Sequence, residues 1–118
     1  MLARILLFSF LSLNLSSAFA CGVYELSGVV RFNSSEYRII VNEGTTSEII
    51  FVAPPTEAVK LFPFQNAPVK AAVLVLEPLH GTRARISEIR SVELRVPDPL
   101  HPALDTRYSL KSKMDCKK

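Results

Sequence analysis

The stretch EIIFVAPPTEAVKLFPF, residues 48–64, decides how the chain is interpreted. It opens with an apolar, β-branched run from Glu48 to Ala53, a pattern that predicts a buried strand. Pro54 and Pro55 then end the strand, because proline cannot donate a hydrogen bond to a sheet. The chain therefore leaves the sheet at this point.

A short helix is predicted after the two prolines. Thr56 is placed to cap it and Glu57 lies near its positive end. Pro63 limits the helix to about two turns. We expect Phe62 and Phe64, which flank that proline, to plug one end of a small β-structure.

The residues before this stretch alternate with period two, which is typical of half-buried strands. They predict strands at Tyr24–Phe32 and Tyr37–Asn42, joined by a turn at Asn33–Glu36. Gly28 in the first strand predicts a bulge or strong coiling. A second turn follows at Glu43–Thr46.

The residues after the stretch predict further strands. Val69–Leu76 is almost continuously apolar, which favours a central, buried strand. The next strand runs from about Thr82 to Val96, and its alternation slips, predicting a bulge near Ser87 and Glu88. Residues 108–116 alternate again and indicate an edge strand, with a disordered polar tail as the alternative.

Three strands, a short helix and two long strands resemble the OB-fold, a Greek-key barrel with its helix between strands three and four. The resemblance covers about Cys21 to Pro97 and is one of pattern only, without a family motif. We therefore expect an all-β fold, a five- to six-stranded antiparallel barrel with one short helix. The main alternative is a β-sandwich, which usually needs about seven strands.

The resemblance implies a binding face on the second and third strands and the loops beside them, which here include 43–46 and 77–81. Arginines of the fifth strand could form a basic stripe for nucleic acid, but a solvent-facing strand surface paired with Glu88 and Glu93 is the favoured explanation. The candidate face comprises Tyr37, Ile39, Val41, Phe51, Arg83 and Arg85.

The leading residues predict export. Arg4 precedes an apolar run, and Ala18-Phe19-Ala20 matches a cleavage site, so residues 1–20 are interpreted as a secretory signal peptide. Residues 21–118 then form a single domain, in the periplasm or outside the cell. The whole-chain net charge is +3, and loss of Arg4 lowers it to +2, which is poor for phosphate binding. Nucleic acid is therefore not an expected partner.

Two cysteines, Cys21 and Cys116, predict a disulfide, because exported chains meet an oxidising compartment. Lipidation of Cys21 is the alternative, giving a lipid anchor and the only route to a membrane. The two outcomes exclude each other because both consume the same thiol.

No catalytic, cofactor or metal site is predicted. His80 and His101 lie in loops without ligand partners at a suitable spacing, and the serines lack an activating motif. We expect a non-enzymatic exported module that binds a protein or a cell-envelope component. The alternatives are a lipoprotein subunit of a larger assembly and a secreted inhibitor that presents residues 97–102. Asn33-Ser34-Ser35 fits a glycosylation sequon, usable only in a eukaryotic secretory pathway.

Overall fold

The computed structural model describes residues 20–77, 81–96, 100 and 107–116. The predicted signal peptide, His80 and His101 lie outside these residues, apart from Ala20. The elements run in the order β1 Gly22–Asn33, β2 Glu36–Val41, β3 Ile49–Ala53, α1 Pro55–Ala58, a 3-10 helix Phe62–Phe64, β4 Pro68–Val75, β5 Arg83–Arg85, β6 Glu88–Leu94 and β7 Arg107–Lys113. The protein is mostly β, as predicted, and the short helix follows β3.

The long strand β1 organises the sheet, whose order is β5-β3-β2-β1-β4-β6, with β7 also paired to β1. One edge of β1 pairs with β4 from Gly22 to Val29. The other edge pairs with β7 up to Ser27 and with β2 from Val29. Gly28 lies where the partner changes, and a Cβ there would stand 2.4 Å from the carbonyl oxygen of Ile40. Glycine is thus needed for close approach of the backbones.

The predicted five- to six-stranded antiparallel barrel is corrected in two respects. The described residues form seven strands, and the sheet is mixed because β3 and β5 are parallel. The single strand predicted over residues 82–96 is divided into β5 and β6 by Ile86 and Ser87. These two residues are hydrogen-bonded to different strands. The Ile86 N–H donates to Val52 O of β3 at 2.8 Å, and the Ser87 N–H donates to Leu74 O of β4 at 2.7 Å. The division therefore lets the first part of this segment pair with β3 and the second part pair with β4.

A bulge also occurs, but slightly later than predicted. In the β4–β6 pair, Ala72 lies opposite Ser91 and Val73 lies opposite Ile89, so Arg90 is the extra residue. Bulges bend a strand and increase its twist. The slip in apolar alternation was thus a true signal of irregularity.

The core is built from the alternate residues of the strands. Its largest fully buried side chains include Leu26, Val30, Ile39, Val41, Phe51, Leu61, Val69, Val73, Ile86 and Ile89. Leu61, just after α1, is fully buried, whereas Phe62 is 67% exposed and Phe64 is only partly buried. The prediction that Phe62 plugs the structure is therefore wrong, because the turn before Pro63 sends Leu61 inward in its place.

Helix α1 is fastened to the bulged strand by two charged side chains. Glu57 accepts hydrogen bonds from the Ile89 N–H at 2.7 Å and from Lys60 Nζ at 2.9 Å. Lys60 Nζ also donates to Ile89 O at 2.8 Å. Thr56 does not cap the helix as predicted, since the N-cap residue is Pro54 and no side chain caps it.

The predicted C-terminal strand and disulfide are both present. Strand β7 pairs with β1, and Cys21 and Cys116 are bonded with their Cα atoms 5.2 Å apart. Every residue of β7 is exposed, but the Tyr108 ring lies 6.2 Å from both Tyr24 and Phe51, measured between ring centroids. A cysteine in a disulfide has no thiol to carry a lipid, which opposes the lipid-anchored alternative. The bond is compatible with an oxidising, extracellular compartment.

Candidate functional site

Three aromatic rings, of which Tyr37 is partly buried against the core, form a cluster near the turn between β1 and β2. Phe32 and Tyr37 are direct cross-strand partners, and their ring centroids are 4.7 Å apart. The Phe62 ring lies 6.0 Å from Tyr37 on the other side. Phe62 is 67% exposed and Phe32 is 48% exposed. We call Phe32, Tyr37 and Phe62 the aromatic cluster.

The cluster owes its position to a tight hairpin. Ser34 and Ser35 form the two-residue loop, and both have positive φ angles, of 53° and 66°. This is the backbone pattern of a type I′ turn, whose twist matches that of the flanking strands. Because the loop is so short, Phe32 and Tyr37 are held directly opposite each other across the hairpin.

A groove adjoins the cluster and has a volume of about 430 Å³. We call it the hairpin groove. It is lined by Phe32, Ser35, Glu36, Tyr37, Val52, Ala53, Pro54, Pro55, Ala58 and Arg85. The two prolines stiffen its wall, because their φ angles are fixed. The groove therefore combines apolar and aromatic surface with one acidic and one basic side chain.

The negative charge of the acidic side chain of the groove is compensated by two arginines. Glu36 Oε1 accepts hydrogen bonds from Arg38 Nη2 at 2.9 Å and from Arg83 Nη2 at 3.2 Å. The bond from Arg38, reinforced by Arg83, lowers the pKa of the Glu36 carboxyl below its ordinary value. Glu36 is thus held ionised and is occupied within the protein.

The basic side chain of the groove is differently placed. Arg85 is exposed on β5, opposite Val52 of the parallel strand β3. Within the described part of the chain it has no hydrogen-bonded or ion-paired partner. Because Arg85 also lines the groove, its guanidinium donors are available to a ligand there.

The predicted binding face is divided by the fold. Ile39, Val41 and Phe51 are fully buried and belong to the core, so their assignment to a surface is corrected. They occupy the inward positions of β2 and β3, which the period-two pattern assigns to the core as readily as to a ligand face. Tyr37 and Arg85 line the hairpin groove, and Arg83 reaches it through Glu36.

Sequence reasoning missed Phe32 and the two prolines as parts of a site. A signal was present for Phe32, because a two-residue loop at Ser34-Ser35 puts Phe32 opposite Tyr37 by register alone. The contribution of Pro54 and Pro55 depends on where β5 packs beside β3. No local pattern in the sequence shows that contact.

The loop after β2, also part of the predicted face, is closed on itself. Thr45 Oγ1 donates to Asn42 O at 2.7 Å, and the Gly44 N–H donates to Glu48 Oε2 at 2.9 Å. A shallower depression of about 320 Å³ lies beside this loop and reaches Tyr108. Of the second predicted loop, residues 78–80 lie outside the described residues.

Across residues 20–77, 81–96, 100 and 107–116, no group of three or more potential metal ligands comes together. Within the same residues, no helix is both long and apolar enough to span a bilayer. Comparisons with protein-family models, with curated proteins and with solved structures found no significant match.

Proposed function

We propose that the protein is an exported, non-catalytic module that binds a protein or a cell-envelope component through the hairpin groove. The aromatic cluster carries this proposal. Soluble proteins rarely leave several large apolar rings together on the surface, and where they do, the patch commonly marks an interaction site. Aromatic residues are also the side chains most enriched at the energetic centres of interfaces.

The proposal includes an OB-like barrel as the fold. The strand order supports it: β3 pairs with β5 and β4 pairs with β6, while β5 and β6 are separated by only Ile86 and Ser87. The two ends of the sheet are therefore joined through the chain itself. Folds of this kind bind ligands on the outer surface of the second and third strands and on adjoining loops. The hairpin groove lies beside those two strands.

Export is the second component of the proposal. It is supported by the signal-peptide pattern of residues 1–20 and by the Cys21–Cys116 disulfide, which persists in oxidising compartments. The measurement that tests it is the intact mass of the protein recovered from outside the cytoplasm. We expect the mass of residues 21–118 with one disulfide; a product that retains residues 1–20 contradicts export.

Binding is tested by capture experiments with matched surface variants. The double variant F32A/F62A removes two rings of the aromatic cluster that are 48% and 67% exposed, so the fold should persist. The control is L94A/V96A, which removes apolar side chains that are 66% and 92% exposed outside the groove. The bait is the disulfide-bonded protein and the sample is an envelope or secreted fraction.

We expect a partner to be retained by the wild type and by L94A/V96A, and lost with F32A/F62A. Equal capture by all three proteins would mean that the aromatic cluster is not the binding site. Circular dichroism of each variant confirms that the fold is retained.

A further inference from the structure

We infer that the hairpin groove takes an extended acidic peptide, in which an apolar or aromatic side chain packs on the aromatic cluster and a neighbouring carboxylate meets Arg85. This inference rests on the proposed binding function and specifies the class of ligand. The charges of the groove, the geometry of its rings and its two prolines support it.

Basic side chains outnumber acidic ones beside the groove. Arg38, Arg83 and Arg85 lie on the outer surface of β2 and β5, and Glu36 is the acid among them. Glu36 is bonded to Arg38 and Arg83 through one oxygen, so a net positive charge remains and Arg85 is the available cation. A guanidinium binds a carboxylate through two parallel hydrogen bonds, which fixes both the charge and the orientation of the ligand.

The ring geometry favours side chains as the apolar part of the ligand. Phe32 and Tyr37 are inclined at 48°, and Tyr37 and Phe62 at 45°. Aromatic side chains prefer edge-to-face or offset contacts, so inclined rings suit a single aromatic side chain of a ligand. A single-stranded nucleic acid instead stacks its bases flat on ring faces along a basic channel.

The groove is also pre-organised for a short segment. Phe32 and Tyr37 are positioned by a two-residue hairpin, and Pro54 and Pro55 line the same groove, so few side chains need to be ordered when a ligand binds. Pre-organisation lowers the entropic cost of binding. An extended peptide can place one side chain on the rings and the acidic side chain two residues away at Arg85, because alternate side chains lie on the same face.

The experiment starts with a displayed library of random seven-residue peptides, selected on the disulfide-bonded protein and pre-cleared on F32A/F62A. We expect the enriched peptides to carry an acidic residue two positions from an apolar or aromatic one, because alternate side chains of an extended chain lie on the same face. One enriched peptide is then synthesised together with a version in which its acidic residue is lysine.

Affinities of both peptides are measured for the wild type, R85E and R90E. Arg90 is the matched control, since it is an arginine paired with Glu88 on β6, outside the groove. We expect R85E to weaken the acidic peptide at least tenfold and R90E to change it less than twofold. The lysine peptide should bind R85E better than it binds the wild type.

Failure of the peptide inference can be distinguished from failure of the proposed binding function. Peptides that need Phe32 and Phe62 but neither Arg85 nor an acidic residue would overturn this inference and leave the binding function standing. A library that yields no peptide dependent on the aromatic cluster overturns the inference, and the capture experiment then decides the function separately. Tighter, Arg85-dependent binding of a ten-nucleotide oligothymidylate would overturn the peptide in favour of nucleic acid.

Discussion

At the scale of single residues, Ser34 and Ser35 are unusual choices for the turn positions that they occupy. Both adopt positive φ, a conformation that is natural for asparagine and glycine in a type I′ turn and unfavourable for serine. They nevertheless hold the hairpin that carries Phe32 and Tyr37. The site is therefore supported by a turn whose sequence is not optimised for stability.

This leads to a prediction of stabilisation. Replacing the loop by Asn-Gly, in the variant S34N/S35G, should raise the free energy of unfolding by roughly 1 kcal/mol, because the backbone strain is relieved. Urea unfolding measures the change. The control S87G introduces glycine where φ is negative and should not stabilise. A destabilised S34N/S35G would mean that the serine side chains make a necessary contribution to the turn.

Glu57 is a second residue with an important structural role, because its carboxylate accepts hydrogen bonds both from Lys60 and from the backbone of the bulged strand β6. The hydrogen bond from Lys60, together with that from the Ile89 N–H, lowers the pKa of Glu57 below the ordinary value of 4.5. A carboxyl whose pKa is lowered in the folded state stabilises the fold at pH values above its ordinary, unfolded-state pKa. This contribution is lost as the pH falls through the folded pKa.

We therefore predict that E57A reduces the free energy of unfolding at neutral pH by about 2 kcal/mol, since the buried Ile89 N–H loses a charged acceptor. E57Q should cost less, about 1 kcal/mol, because its amide oxygen can still accept that bond. The difference between wild type and E57Q should shrink as the pH is lowered from 6 to below about 4. The control is E93Q on the exposed face of β6; an equally large effect there would remove the special role of Glu57.

At the scale of elements, β7 is the strand least integrated into the fold. Its residues are all exposed, it pairs with β1 alone among the described strands, and it is held by the Tyr108 ring and the disulfide. Gly22 permits this pairing, because a Cβ there would lie 2.1 Å from the carbonyl oxygen of Ser112. We expect β7 to open before the rest of the sheet.

Hydrogen exchange followed by mass spectrometry tests this expectation. In Y108A and G22A, the amides of residues 107–113 should exchange at least tenfold faster, while those of β2 and β3 stay protected. S109A is the control, because it changes an exposed serine of the same strand. Faster exchange throughout the sheet would instead show that β7 unfolds only together with the core.

The elements also show how far the sequence allowed prediction. The first four strands, the short helix and the C-terminal strand were predictable, because period-two alternation, paired prolines and turn residues act locally. The parallel β3–β5 pair and the break at Ile86 and Ser87 were not. They depend on which strand lies beside residues 83–94, a long-range choice that leaves only a slip in the alternation.

The candidate site was predictable only in part. Tyr37 and Arg85 line the hairpin groove, whereas Ile39, Val41 and Phe51 are core residues. A period-two pattern separates two faces of a strand but does not label one as the ligand face. The proline wall and Phe62 come from a segment whose position depends on the packing of Leu61.

At the scale of the whole molecule, the disulfide encloses nearly all of the described chain, since its cysteines are 95 positions apart. In the chain-entropy model, closing a loop of about 100 residues is worth up to about 4.7 kcal/mol. We predict that C21S/C116S lowers the free energy of unfolding by about 2–5 kcal/mol. Urea unfolding of that variant and of the reduced wild type should agree.

A loss below about 1 kcal/mol would contradict this whole-chain role and would mean that the unfolded state is already compact. The variant K111S/K113S serves as the control, because it changes exposed residues of β7 without touching the bond. Its stability should differ from that of the wild type by less than about 0.5 kcal/mol.

The length of β1 has a consequence for how the protein meets its surroundings. Gly22 lies beside the disulfide at one end of this strand and Phe32 lies in the aromatic cluster at the other. Ten residues of strand span up to about 33 Å. A tether fixed near the disulfide would therefore leave the hairpin groove at the far end of β1, away from the support. Sensors or fusions built on this protein should be attached at that end.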